Sequence, residues 1–332
     1  MSSLPNTMRG VTAKEKGGPE MLSLGTFPVP EPRPGEVLIE VAYAGVCRPD
    51  IMQRRGVFSA PPGASEILGL EVAGAIVACG PEVKELAPGD RVAALLPGGG
   101  YAQYAVADAR CCLRLPGHLA ERDCAALPEA LFTIWHNLFE LGRLACGETV
   151  LIHGGASGNG TIAIQLADAA GATVFATCGT KEKAALLRKL GCAHPIVHRS
   201  QDFVSVIGEM RAGRGVDVVL DIVGGSYVPR NLEVLGPGGR HVSLAFMESA
   251  NITLDFTTVM RKSLTLTSST LRPKPADEKA RLKRAIERHV WPLIETGRVR
   301  PVIHAELPLA EAAEAHRILE ASEQTGKVVL RC

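Results

Sequence analysis

Val150-Leu151-Ile152-His153-Gly154-Gly155-Ala156-Ser157-Gly158-Asn159-Gly160 is an apolar run that passes straight into a glycine-rich turn. Thr161-Ile162-Ala163-Ile164-Gln165-Leu166-Ala167 follows with the spacing and small residues of a helix that packs closely on a sheet. Buried strand, tight turn and helix, in that order, open a βαβ unit. The glycines let backbone approach a pyrophosphate closely. The first helical turn offers N–H groups that lack intrahelical partners, and negative charge is stabilised there. The G-x-x-G-x-G spacing is not the commonest fingerprint of a dinucleotide site, so its weight comes from the strand before it and the helix after it.

Working outward from this turn, the same rhythm predicts parallel strands at residues 148–154, 173–178, 216–222, 239–245 and 264–269, with helices after the first three. The second strand ends Ala176-Thr177-Cys178-Gly179-Thr180-Lys181-Glu182-Lys183. No carboxylate stands at its tip to accept hydrogen bonds from a ribose 2′-hydroxyl, and two lysines follow. A 2′-phosphate is attracted there, which points to NADPH over NADH, with Gly179, Thr180 and above all Lys183 on the phosphate side. His198-Arg199 could add donors on that side, or be surface residues without a role.

Before this α/β region the text changes character. Val37-Leu38-Ile39-Glu40-Val41, Val72-Ala73-Gly74-Ala75-Ile76-Val77 and Arg91-Val92-Ala93-Ala94-Leu95-Leu96 are short apolar runs broken by Gly and Pro, the signature of an irregular, mostly antiparallel β domain. Helical stretches at 276–295 and 309–322 lead to Gly326-Lys327-Val328-Val329-Leu330, read as a strand returning to the first domain. The expected division is residues 1–125 with 273–332, and residues 126–272. A chain of 332 residues, 46% hydrophobic and 21% charged, suits two cores.

Lys and Arg number 36 against 35 acids, so no global field draws the chain to nucleic acid or an anionic membrane. No apolar run is long enough to span a bilayer, and the opening residues lack a secretory pattern; a cytoplasmic protein with a small-molecule partner is expected. Nine scattered cysteines without a CxxC pair read as packed thiols rather than a disulfide or metal framework.

Several segments together resemble the zinc-independent, zeta-crystallin-like quinone oxidoreductases of the medium-chain dehydrogenase/reductase family. They include Lys16-Gly17-Gly18-Pro19-Glu20, Asp50-Ile51-Met52-Gln53-Arg54-Arg55-Gly56, Ile67-Leu68-Gly69-Leu70-Glu71, Ala94-Leu95-Leu96-Pro97-Gly98-Gly99-Gly100-Tyr101, Pro128-Glu129-Ala130 and Asp221-Ile222-Val223-Gly224-Gly225. The resemblance implies a GroES-like catalytic domain interrupted by a Rossmann domain. It places Thr133 at the nicotinamide end and Gly155, Ser157, Gly158, Asn159 and Gly160 along the pyrophosphate. Backbone at Val223 and at Ala245, Phe246 and Met247 borders the cofactor, and Lys327 is counted with the cofactor residues. A homodimer is implied through Ser263-Leu264-Thr265-Leu266-Thr267-Ser268-Ser269, whose alternation suits an edge strand.

Zinc alcohol dehydrogenases of the wider superfamily carry a first catalytic ligand in Gly-Val-Cys-x-x-Asp, matched here by Gly45-Val46-Cys47-Arg48-Pro49-Asp50. Their second ligand is the His of Gly-His-Glu, where this chain has Gly69-Leu70-Glu71, and residues 90–110 contain no cysteine for a structural zinc. A site without its imidazole predicts no metal. Cys47 and Phe58 stand where the quinone reductases usually have Asn and Tyr. With Met52 and Phe246 they are the candidates for the substrate pocket. Asp50 either orients polar groups there or pairs with Arg54. With no clear acid/base pair, hydride would come from NADPH and the acceptor must be intrinsically electrophilic, a quinone or a conjugated enone, enal or enoyl thioester. An NADPH-binding protein with little turnover is the reading from another class.

Overall fold

The structure, a computed structural model, describes residues 4–332. Strands in chain order are β1 (Thr7–Ala13), β2 (Leu22–Pro28), β3 (Glu36–Val46), β4 (Glu71–Cys79), β5 (Arg91–Leu95), β6 (Tyr104–Asp108), β7 (Cys112–Arg114), β8 (Thr149–Ile152), β9 (Thr173–Cys178), β10 (His194–Val197), β11 (Val216–Asp221), β12 (Leu235–Ser243), β13 (Thr265–Ser268), β14 (Ile303–Pro308) and β15 (Lys327–Arg331). The chain forms two compact units, Met1–Phe132 with Arg272–Thr296 and Arg300–Cys332, and Thr133–Leu271 with Gly297–Val299.

In the first unit the sheet order is β14-β15-β3-β4-β5-β7, with β6 also on β3 and β1-β2 a separate antiparallel pair. β3 shifts register against β4 at Leu38/Ile39 and at Val41/Tyr43. Such bulges bend a strand, and this one pairs with β6 along its first half and with β15 along its last residues. The returning strand read from residues 326–330 is β15, which runs antiparallel to β3 with Val328 opposite Val46. Val37, Ile39, Val72, Ile76, Val92, Val328 and Leu330 fill the core between the sheet faces.

The second unit is a six-stranded parallel sheet in the order β10-β9-β8-β11-β12-β13. That is the doubly wound order whose direction reverses between β8 and β11, where ligands of such sheets bind beyond the carboxyl ends of the strands. Leu151, Phe175, Val219 and Leu232 are buried in its core. Helices Gly158–Ala169, Lys181–Lys189 and Tyr227–Val234 follow β8, β9 and β11. β13 is the sheet's last strand and pairs only with β12 in the described residues.

The five expected strands are present, with two differences in detail. His194-Pro195-Ile196-Val197 forms β10, a strand not expected because it is short, begins on a polar residue and contains Pro195. β12 begins at Leu235 rather than Gly239, its Gly-Pro-Gly-Gly start being accommodated by a register shift between Val216 and Val218 of β11. Trp135–Leu141 is a π-helix, for which sequence offers no signal. Its Asn137 takes a hydrogen bond from the Ser269 hydroxyl (2.8 Å) and gives one to Thr133 O (2.9 Å).

Candidate active site

In the second unit the glycine turn leaves β8 at Gly154, whose φ of +67° favours glycine. Ser157 caps the helix Gly158–Ala169 by accepting the Gly160 N–H at 3.0 Å. This leaves the amides of Gly158 and Asn159 as first-turn donors without intrahelical partners, a site for anionic oxygen. A Cβ on Gly160 would lie 2.3 Å from Gly154 O and 2.7 Å from the Gly155 Cα, so only glycine lets the helix start sit on the turn.

Several other expected cofactor residues lie at the ends of β9 and β11. Thr180 caps the helix Lys181–Lys189 by accepting the Lys183 N–H at 3.2 Å. A Cβ built on Gly179 would lie 3.8 Å from His198 Nε2 and 3.9 Å from Arg199 Nε, so both basic side chains reach the end of β9. Asp221, at the end of β11, accepts from the Val223 N–H at 2.7 Å and from the Gly224 N–H. The Met247 and Glu248 amides bond to Ile222 O (3.2 Å) and Val223 O (2.9 Å), which fixes Ala245, Phe246 and Met247 beside that turn; Phe246 and Met247 are exposed. Thr133 is buried in the Thr133–Leu271 unit.

In the first unit Cys47 and Asp50 start the helix Arg48–Arg54, and the Asp50 carboxylate caps it by accepting the Cys47 N–H at 2.8 Å. Beside them lies a buried triad. Lys327 Nζ is 2.5 Å from Glu71 Oε1 and 3.1 Å from Cys47 Sγ, and the Cys47 thiol is 3.4 Å from the same carboxylate oxygen. The other Glu71 oxygen accepts the Glu129 N–H at 2.8 Å. Gly45 makes room, since a Cβ there would meet Glu71 Oε1 at 2.1 Å. Burial, with Glu71 alongside, pushes the Cys47 thiol well above its ordinary range, so it is a neutral thiol and no nucleophile. The Lys327 ammonium, counted with the cofactor residues from sequence, is engaged with Glu71 and Cys47.

The Asp50–Arg54 pair does not form. As the third helical residue Asp50 turns back to the helix start, while Arg54 pairs with Glu320 and donates to His316 Nδ1 (3.2 Å). Asp50 instead accepts from the Tyr101 hydroxyl (2.9 Å), which is 3.2 Å from His316 Nε2. An Arg can only donate, so Nδ1 of His316 accepts and its proton sits on Nε2. Burial, against the hydrogen bonds from Cys47 N and Tyr101, lifts the Asp50 carboxyl to about 6.

The Val57 and Phe58 amides both donate to Met52 O, which brings the candidates Met52 and Phe58 together. Arg272, which sequence reasoning missed, stands over the Phe58 ring with Cζ 5.6 Å from its centroid. Its Nε and Nη2 are fixed on Pro97 O (3.0 and 2.6 Å), and its buried Nη1 has no hydrogen-bond partner. The nearest signal was the Thr270-Leu271-Arg272 run after the last parallel strand, which carries no motif.

A family profile described as the alcohol dehydrogenase GroES-like domain matches residues 33–117, and one described as zinc-binding dehydrogenase matches residues 158–288. The chain is 31% identical to the human quinone oxidoreductase over 333 residues, covering 99% of both. It is 33% identical over 314 residues to a mycocerosic acid synthase-like polyketide synthase of Mycobacterium tuberculosis, covering 95% of this chain and about 15% of that protein's length. The Escherichia coli quinone oxidoreductase complexed with NADPH superimposes with a TM-score of 0.87 at 29% identity, covering 98% of this chain and 100% of that one.

The zinc-binding description implies a metal that the residues present do not fit. Leu70 cannot ligate, the Cys47–Glu71 position already receives an ammonium, and among the described residues no group of three His, Cys, Asp or Glu side chains could hold a metal ion. The glycine turn, with its capped helix and open first-turn amides, does fit a dinucleotide. A GroES-like profile on the β-rich unit, a doubly wound sheet in the other unit and end-to-end likeness to a quinone reductase converge: the chain belongs to the medium-chain dehydrogenase/reductase family, in its quinone oxidoreductase branch.

Proposed function

We propose that the chain is an NADPH-dependent reductase that passes hydride to a quinone or a conjugated carbonyl without a metal. The observation that carries the cofactor choice is the pair of basic side chains, His198 and Arg199, beside Gly179 at a strand end without a carboxylate. Those two residues and Lys183 hold the 2′-phosphate, and the Gly158 and Asn159 amides hold the pyrophosphate. When bound, NADPH supplies the hydride. Arg272 acts on the acceptor: with two of its nitrogens fixed on Pro97 O, the free Nη1 donates to the oxygen on which negative charge develops. Cys47 and Asp50 shape the polar wall rather than transfer protons. β13 is the edge through which a second copy pairs.

Cofactor choice is tested by binding. Lys183→Ala weakens NADPH about tenfold or more, the worth of one charge-assisted hydrogen bond, and leaves NADH within about twofold. Equal loss for both contradicts the phosphate assignment. Acceptor class is tested by NADPH oxidation against a naphthoquinone, an ortho-quinone, a conjugated enal and an enoyl thioester. Likeness to polyketide synthases favours the conjugated carbonyls as the second reading. Binding of NADPH with no acceptor turned over refutes the enzyme.

A further inference from the structure

Four buried polar side chains of the parallel-sheet unit form one continuous chain of hydrogen bonds beneath its strand ends. We propose that Thr177, His153, Asn231 and Asp221 are positioning residues: a strut, running from Thr177 in β9, that holds together the backbone turns after β8 and β11 on which the dinucleotide lies. The inference rests on the NADPH reading above and adds residues to it that touch no cofactor.

Each link fixes the next. Asp221 is an acceptor, so the Asn231 group 3.2 Å from its Oδ2 is the amide nitrogen, and Asn231 Oδ1 is left to face His153 Nε2 at 2.7 Å. That nitrogen therefore carries the imidazole proton, and His153 Nδ1 accepts from the Thr177 hydroxyl at 3.1 Å. The Thr177 oxygen in turn accepts the Gly154 N–H at 3.2 Å. At the far end Asp221 takes the amides of Val223 and Gly224. His241 Nε2 adds a contact to the Asp221 carboxylate at 3.3 Å.

Thr177, His153, Asn231 and Asp221 are each at most 3% exposed, so the bonds are shielded from bulk solvent. The rings of Phe203 and Tyr227 meet the imidazole edge-on, both at 5.0 Å, and hold its plane. The strut crosses between β8 and β11, where the sheet changes direction and its ligand crevice opens. Its two anchors are Gly154 and Gly224, both at positive φ (+67° and +71°), where the chain turns out of each strand. A chain whose ends are the first amides of two ligand loops sets the spacing of those loops.

The test is NADPH affinity, by fluorescence titration, in the wild type, His153→Phe, His153→Gln, Asn231→Leu and Val150→Ala. Val150 is a fully buried β8 residue outside the strut and controls for loss of core packing. His153→Phe and Asn231→Leu weaken NADPH about tenfold or more; His153→Gln, which keeps a donor toward Asn231, stays within about threefold. Val150→Ala lowers the unfolding midpoint without moving the dissociation constant. Should the larger substitutions fail to fold, Thr177→Val removes only the hydroxyl and weakens NADPH in the same direction. Folded variants that bind like the wild type overturn the strut. A wild type that binds no dinucleotide overturns the cofactor reading first and the strut with it.

Discussion

Replacing Lys327 by Met keeps the length of the side chain and removes its charge. The ammonium is 2.5 Å from the Glu71 carboxylate, and both side chains are buried, Glu71 completely. With an effective dielectric near 20, the gross attraction at that distance is about 7 kcal/mol. Desolvation of the two ions offsets most of it, so the pair adds little net stability over a neutral filling. Removing one partner is different, because Glu71 is left buried with only the Glu129 amide and the Cys47 thiol against it. We expect Lys327→Met to cost about 3–5 kcal/mol, Glu71→Gln a similar amount, and the double variant to recover most of the loss. Urea unfolding at constant m-value measures each. Single variants that each cost under about 1 kcal/mol, with effects that simply add, would falsify the account of a coupled buried pair. The double variant also isolates any contact of Lys327 with cofactor, since it is folded yet lacks the ammonium.

Arg272→Leu should lower kcat/KM for the acceptor about a hundredfold while leaving the NADPH dissociation constant within twofold; a purely structural role would instead appear in stability alone. Acid stability follows from three buried groups. Burial holds His153 at about 4, with Asp221 opposing and His241 and Arg230 assisting, and burial with Arg54 and Arg48 holds His316 at about 3. Each is depressed below its unfolded value of 6.5, so its stabilisation is complete above pH 6.5 and falls by about 1.4 kcal/mol per pH unit below it. Asp50, raised to about 6, works the other way between about pH 6 and 4, so the net fall in that window is about 1.4 kcal/mol per unit. Asp50→Asn should steepen the fall and His153→Gln flatten it, as read by unfolding at pH 6.5, 5.5 and 4.5; unchanged slopes contradict the assignment. Gly160→Ala, which drives a methyl group onto Gly154 O, should abolish NADPH binding, and an alanine variant with wild-type affinity would exclude that turn as the pyrophosphate site.

The sheet of the second unit was legible because β8, β9 and β11 are mostly apolar runs, each followed by a turn signal. The same logic hid β10, with a proline among four residues, and the first residues of β12, which are mostly glycine. The glycine turn was readable as a local motif; the strut beneath it was not. His153 and Thr177 look like lone polar interruptions of apolar strands, and their link to Asp221 through Asn231 exists only once a helix returns over the sheet. Lys327 shows the same limit. Its place before Val-Val-Leu marks a strand start, but nothing in the sequence joins it to Glu71 or Cys47. Of the two roles open to Asp50, the pairing with Arg54 is lost because the helix cap takes the carboxylate and the last helix takes the guanidinium.

Lys327 and Cys47 are 280 residues apart, and β15 must lie along β3 before they meet. During synthesis the parallel-sheet segment from Thr133 to Leu271 is complete and continuous long before that strand emerges. Until then β3 keeps an open edge toward β15, and Glu71 has no cation to accompany it into the interior. The β-rich unit is therefore the late step of folding, closed by residues near the C-terminus. Chains interrupted before Lys327 carry both an unpaired strand edge and an uncompensated carboxylate.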